Sequence, residues 1–292
     1  MKGSGTMRQE KTIGVDMGGT NIRAARVGQQ GIEERRCIPC PATGSKDEVL
    51  DCLTDLIQPL MDPDVVAIGA GIPSVIDTEQ GIVYQAANIP SWDEVPLKEI
   101  LTGKFGIRVD LDNDSNCFTL GLARYGEGRS FRHFVGITLG TGLGAGIVIN
   151  GQLYHGFNGG AGEVGSLPYR DSDFEHYCSS HYFLEQCGED ASSLARKAEQ
   201  GNDKAMLRWR QFGTHMGELV KALMYAYDPE AVVMGGGIAK AFPLFKATMM
   251  ATVQTFPYPK SVGHLHVIAT KLADAALLGA ASLNHKYEEG IV

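Results

Sequence analysis

A chain of 292 residues, 43% hydrophobic and 21% charged, has an ordinary globular composition near the size at which one core divides into two. A net charge of -8 gives no electrostatic footprint for nucleic acid or an anionic membrane, and no apolar run approaches a membrane span. Six scattered cysteines make no disulfide framework, and the polar stretch Met1 to Lys11 has no signal-peptide core, so a cytoplasmic protein is expected.

Thr12 to Met17 reads as an apolar strand running into Gly18-Gly19-Thr20-Asn21, and a second strand follows from Ile22 to Val27. Cys37 and Cys40 have redox-motif spacing, but Ile38 and Pro39 lie between them in a strand-like segment, so no redox role is expected. Apolar residues at Val49, Leu50, Leu53, Ile57 and Leu60 recur at helical spacing between Lys46 and Met61, with Pro59 ending or kinking the helix. Val65 to Gly71 is a buried strand, Leu97 to Leu101 a short helix and Ile107 to Leu111 another strand.

Near residue 131 the pattern restarts. Phe134 to Leu139 runs into Gly140-Thr141-Gly142-Leu143-Gly144 and a further strand at Ile147-Val148-Ile149. Superposing the two segments pairs Gly14 with Gly136, Asp16 with Thr138 and Gly18 with Gly140, which reads as an internal duplication. Helices follow at about Ser192 to Glu199 and Asp203 to Tyr227. Then come the strand Ala231 to Met234, the run Gly235-Gly236-Gly237 and an Ala-rich helix from Ala273 to Leu283.

Two matched glycine/threonine loops at strand ends suit a phosphate cradle, because glycine lets the backbone approach an anion and turn successive N–H groups inward. Each loop alone is equally an ordinary hairpin turn; the match and the third run favour the cradle. Neither loop has the pattern or the strand–helix context of a P-loop or a dinucleotide fingerprint. Asp16, at the mouth of the first loop, is placed to hold Mg²⁺ through water. Gly235-Gly236-Gly237 would let adenine and ribose lie against bare backbone, or form a plain strand-to-helix turn. In Asp112-Asn113-Asp114-Ser115-Asn116, Asp114 supplies the carboxylate that a phosphorylated hydroxyl must lose its proton to, and Asn113 an amide for neighbouring hydroxyls. Asp112 and Ser115 are expected only to cap the next helix. Asn88 is a second candidate amide, or a turn residue. Glu163, alone in a glycine bed, suits hydroxyl recognition or plain solvent exposure.

Asp16-Met17-Gly18-Gly19-Thr20-Asn21, Asn113-Asp114, Gly140-Thr141-Gly142, Ala161-Gly162-Glu163-Val164-Gly165 and Gly235-Gly236-Gly237, in this order from Thr12 to Leu283, resemble the ROK family (repressors, open reading frames and sugar kinases). The resemblance implies an α/β, two-lobed actin-like ATPase (ribonuclease H-like) fold with duplicated mixed β-sheet domains. The lobes would be 1–112, joined by a C-terminal helix in 272–292, and 113–271, closing over a hexose and a nucleotide. It implies an ATP-dependent hexose kinase, glucokinase- or fructokinase-like, acting at C6. Asp114 would be the general base, and Gly71, Asn88, Asn113, Asp114 and Glu163 would lie at the sugar. Gly18, Gly19, Thr20, Asn21, Thr138, Gly140, Thr141, Gly142 and Gly144 would embrace the ATP phosphates. Gly235, Gly236 and Gly237 would face adenosine, with Asp16 near Mg²⁺. A homodimer is the family expectation.

One departure stands out. Ser166 replaces a histidine that many members use for both sugar and a structural zinc. Of the family's three zinc cysteines only Cys178 remains, with His176 and Phe183 in the other two places. Four suitable ligands are lacking, so zinc is not expected; Glu185 survives as a sugar contact. The sugar-binding repressors of the family carry an N-terminal helix-turn-helix, which the eleven residues before Thr12 are not expected to form, so a repressor is not the expected reading. A non-catalytic sugar- or nucleotide-sensing protein of the same fold is the alternative.

Overall fold

The computed structural model describes residues 10–285; the expectations for Met1 to Gln9 and for the chain beyond 285 fall outside the described residues. These pack as two compact units, one of 10–125, 156–160 and 273–285, the other of 126–155 and 161–272.

In the first unit, β1 (Lys11–Met17), β2 (Asn21–Gly28) and β3 (Gly31–Pro39) form an antiparallel ladder. β4 (Val65–Ile72) and β8 (Arg108–Asn113) extend it in parallel beyond β1, giving the order β3-β2-β1-β4-β8. The buried run of β4 is almost uninterrupted, as a central parallel strand covered on both faces requires. α1 (Lys46–Ile57) starts at a capping box in which Ser45 accepts the Glu48 N–H and Glu48 accepts the Ser45 N–H. It buries Val49, Leu53, Leu56 and Ile57, then tightens into the 3₁₀ turn Gln58–Leu60 at Pro59. Between β4 and β8 lie the small strands β5 (Val75–Asp77), β6 (Ile82–Tyr84) and β7 (Glu94–Val95), and α2 (Leu97–Phe105).

α3 (Asp114–Tyr125) begins directly after β8 and packs on the last helix, α10 (Ala275–Ala281). A side chain on Gly279 would meet the Cys117 carbonyl oxygen at 1.7 Å, so the helices touch backbone to backbone, and only a Gly/Ala-rich helix can do this. The helix that opens at Asp114 therefore packs within the first unit, past the lobe boundary expected at 112.

The second unit repeats the sheet. β9 (Phe134–Leu139) pairs antiparallel with β10 (Leu143–Ile149) and parallel with β14 (Ala231–Gly235), as β1 pairs with β2 and β4. β11 (Gln152–Leu153) and β15 (His266–Ala269) complete the order β11-β10-β9-β14-β15. The duplication read from the glycine loops is thus a duplication of the strands that carry them. A hairpin of β12 (Pro168–Tyr169) and β13 (Ser172–Asp173) leads into α4 (Phe174–Cys178), α5 (Ser180–Cys187), α6 (Ala191–Glu199) and the long α7 (Asp203–Tyr227). α8 (Phe242–Val253) and α9 (Pro259–His264) follow β14. Trp209, Phe212 and Met216 of α7 are fully buried with Phe183 and Phe245. No helix among the described residues is long and apolar enough to cross a membrane.

Candidate functional site

At the carboxyl ends of β1, β4 and β8 the first unit gathers most of its predicted site. Register places Asp16 beside Gly71, and Gly71 beside Asp112. Parallel strands lie about 4.8 Å apart, so the residues that follow Asp16 and Asp112 leave the sheet about two strand spacings from each other. Open α/β sheets bind ligands at such ends.

Asp114 is the first residue of α3 and is half-buried, its Oδ1 accepting the Ser115 N–H at 2.8 Å. Gly71 lies beneath it: a side chain there would meet the Cys117 Sγ at 3.0 Å and the Asp114 Cα at 3.3 Å. Asn113 caps the helix. Its Oδ1 accepts the N–H of Ser115 at 2.8 Å and of Asn116 at 3.3 Å, and its Nδ2 donates to the Ser74 carbonyl at 3.2 Å. The capping expected of Asp112 and Ser115 thus falls to Asn113. Asp112, 1% exposed, works one layer deeper, accepting the Asn113 N–H and the Asn116 Nδ2, each at 2.9 Å. An amide has two N–H donors, so the bond to Ser74 uses one of the pair on Asn113.

The first glycine turn is closed by the Gly18 N–H donating to the Asn21 carbonyl at 2.9 Å, and the Cys40 N–H holds the Thr20 carbonyl at 2.9 Å. Asn88 adopts the left-handed conformation, φ 65°, in a turn where the Ile89 N–H returns to the Ala86 carbonyl. It packs against Gly19, where a methyl group would lie 2.6 Å from the Asn88 Cβ. Asp16 makes an ion pair with Arg23, directly opposite it on β2. Arg23 also reaches Asp274 at 3.7 Å, and Asp274 bonds Arg35 at 2.9 Å.

In the second unit, the Gly140 N–H closes the other turn onto the Gly142 carbonyl at 3.1 Å. Thr138 donates through Oγ1 to the Gly144 carbonyl at 3.4 Å and pairs in register with Gly235 on β14. Gly236 has φ 90°, and a side chain on it would meet the Leu139 carbonyl oxygen at 2.3 Å, so the third glycine run lies against the start of the second turn. Glu175 accepts the Leu143 N–H at 2.9 Å.

Glu163 is exposed as a residue, yet its carboxyl is held above the ordinary value, first by loss of water around the group and second by Glu175 nearby. Ser166 is exposed and donates its N–H to the Glu163 carbonyl at 3.3 Å. Glu185 is exposed and faces His181 at 3.4 Å. His176 bonds Asp173 at 2.8 Å, Cys178 is fully buried, and Phe183 packs into the aromatic core with its ring centroid 4.5 Å from that of Trp209. Among the described residues no three His, Cys, Asp or Glu side chains are grouped to hold a metal ion.

Arg23, Glu175 and the Asp112–Asn116 layer were not anticipated as parts of the site. Arg23 was legible in principle: in an antiparallel hairpin turning at Gly18–Asn21, the residue two before the turn faces the residue two after it. Glu175 sends no such local signal, because its partner lies on another element.

The chain matches the family model described as the ROK family over residues 12–287. It is 31% identical to the glucokinase of Thermotoga maritima over 95% of this chain and 98% of that protein. It is 26% identical to the xylose repressor of Caldicellulosiruptor bescii over 80% of this chain and 67% of that one. The structure of a ROK family glucokinase from Streptomyces griseus, in complex with glucose and AMPPNP, superposes with a TM-score of 0.81 at 27% identity, covering 94% of this chain and 98% of that one. Sequence motifs, duplicated sheets and likeness over nearly the whole chain agree: this protein belongs to the ROK family, with its actin-like α/β fold.

Proposed function

We propose that this chain is an ATP-dependent sugar kinase that passes the γ-phosphoryl group of ATP to a hexose hydroxyl, with the primary one at C6 as the simplest acceptor. The observation that carries the reading is the seat of Asp114, a carboxylate at the start of α3, set over a side-chain-free Gly71, with Asp16 in register one strand beyond. The likeness to glucokinases, one of them bound to glucose and AMPPNP, supports the same chemistry.

In this reading Asn88, Asn113, Glu163, Ser166 and Glu185 hold sugar hydroxyls. Gly18 to Asn21, Thr138 and Gly140 to Gly144 hold the phosphates, and Gly235 to Gly237 face adenosine. Asp114 accepts the hydroxyl proton as the sugar oxygen bonds to phosphorus, and the bridging oxygen leaves on ADP with its electron pair. Phosphoryl transfer asks little covalent chemistry of the protein, so most of the acceleration comes from positioning and charge.

A Mg²⁺ ion fits this setting. Asp16 offers one carboxylate whose counter-charge here is a part-exposed arginine, and Mg²⁺ commonly takes one carboxylate, waters and phosphate oxygens. Asp16 would hold the ion through water, and the ion would supply positive charge to offset the negative charge of the transferring phosphoryl group. We also read the protein as cytoplasmic and as a homodimer, and sedimentation of the purified chain tests the dimer.

A coupled assay for ADP release across a panel of hexoses and amino sugars tests the reading. Hexose-dependent turnover supports it. Binding of sugar and nucleotide without turnover would make the protein a sensor instead.

A further inference from the structure

The second glycine turn is closed from one side. Glu175 Oε2 accepts the Leu143 N–H at 2.9 Å, and a side chain on Gly142 would run into the same oxygen at 2.6 Å. Ser180 donates its N–H to the Gly140 carbonyl and its Oγ to the Thr141 carbonyl, both at 3.0 Å. One short stretch thus bonds Gly140, Thr141 and Leu143.

That stretch is itself fixed. Asp173 caps α4 by accepting the His176 N–H, and Ser179 caps α5 by accepting the His181 N–H. Phe174, Cys178 and Phe183 anchor the two helices in the core. A carboxylate beside a turn that receives phosphates carries the wrong charge to attract them. Its place there is explained by shape: it fills the space beside Gly142 and engages a backbone donor, so that a ligand meets the turn from its other side.

The geometry points to Glu175 as a positioning residue of the nucleotide site, holding the Gly140–Gly144 turn in shape from the side away from the phosphates, with Ser180 as a second brace. This rests on the reading of that turn as phosphate-binding. The same carboxylate is felt at Glu163, whose ionisation it opposes after the larger effect of desolvation. Glu175 therefore has a second, independent readout at the sugar-binding carboxylate.

Calorimetric binding of AMPPNP to wild type, Glu175→Gln, Glu175→Ala and Ser180→Ala tests this, with hydrogen exchange of the 139–144 backbone and thermal unfolding alongside. Glu175→Gln keeps an acceptor for the Leu143 N–H and loses the repelling charge, so it binds AMPPNP within about twofold of wild type or more tightly. Glu175→Ala loses the bond and binds at least about tenfold more weakly, with faster exchange in the turn. Ser180→Ala weakens binding by about threefold or more. In Glu175→Gln the acid limb of the sugar KM profile moves to lower pH.

Glu175→Ala at wild-type affinity, or Glu175→Gln as weak as alanine, overturns the inference. If Glu175→Ala does not fold, the other two variants decide: Ser180→Ala at wild-type affinity overturns it, and Ser180→Ala weakened with Glu175→Gln retained supports it. Wild type that binds no nucleotide overturns the kinase reading and this inference together, whereas active wild type with indifferent variants overturns only this one.

Discussion

Asn88 and Gly19 occupy one space: a methyl group on Gly19 would lie 2.6 Å from the Asn88 Cβ, closer than carbon atoms approach without something moving. The contact falls on the Cβ of Asn88, not on a flexible tip, and Asn88 is held in a turn at φ 65°. The first glycine turn and the candidate sugar amide are therefore one packed unit.

Gly19→Ala should push the turn and Asn88 apart. On the kinase reading it raises KM for both ATP and hexose by about tenfold, with a far smaller change in unfolding midpoint, because a sub-ångström misplacement costs a site more than it costs a fold. Asn88→Ala should raise KM for the hexose alone. Steady-state kinetics at varied ATP and varied sugar separate the two.

Arg23 faces Asp16 across the hairpin and competes with any cation for its carboxylate. The arginine side chain is 45% exposed, so water and salt screen the pair to a fraction of a kcal/mol or about 1. Arg23→Gln should lower the half-saturating Mg²⁺ concentration by about two- to fivefold. A requirement that stays the same or rises contradicts this role for Asp16.

His215 on α7 is buried among Tyr169, Tyr177 and Tyr182, its Nδ1 3.1 Å from the Tyr169 hydroxyl, with Arg170 beside the first two rings. Burial, and then Arg170, lower its pKa to about 4, so the fold prefers the neutral ring. The unfolded chain binds the proton first. Stability from this residue is therefore full above the ordinary histidine value and falls as pH drops toward 4, by about 2 kcal/mol between pH 7 and 5. Denaturant titrations at the two pH values measure it, and His215→Gln should flatten the dependence.

The fold was legible because its signals are local. Strands end in glycine turns at matching offsets, so the superposed pairs Gly14/Gly136, Asp16/Thr138 and Gly18/Gly140 together point to duplicated hairpins, and the second sheet repeats the first. The candidate site was legible where a residue type has one chemical use, as with Asp114 and Asn113. It was obscure where the partner is remote in the chain. Glu175 reaches Leu143 across 32 positions, and Gly71 is required by the Cys117 side chain of a helix that starts four strands later in the chain. The residue type alone suggests Asn113 as a ligand amide, whereas Asn is also a preferred N-cap, and both ends of this amide are engaged by backbone groups.

The most direct measurement is turnover of Asp114→Asn with ATP and the preferred hexose. Asparagine keeps the shape of the residue over Gly71 and removes its capacity to take a proton. Hexose and nucleotide binding that persist while kcat falls by about 10²–10⁴-fold is the predicted result. Turnover within about tenfold of wild type would contradict Asp114 as the general base.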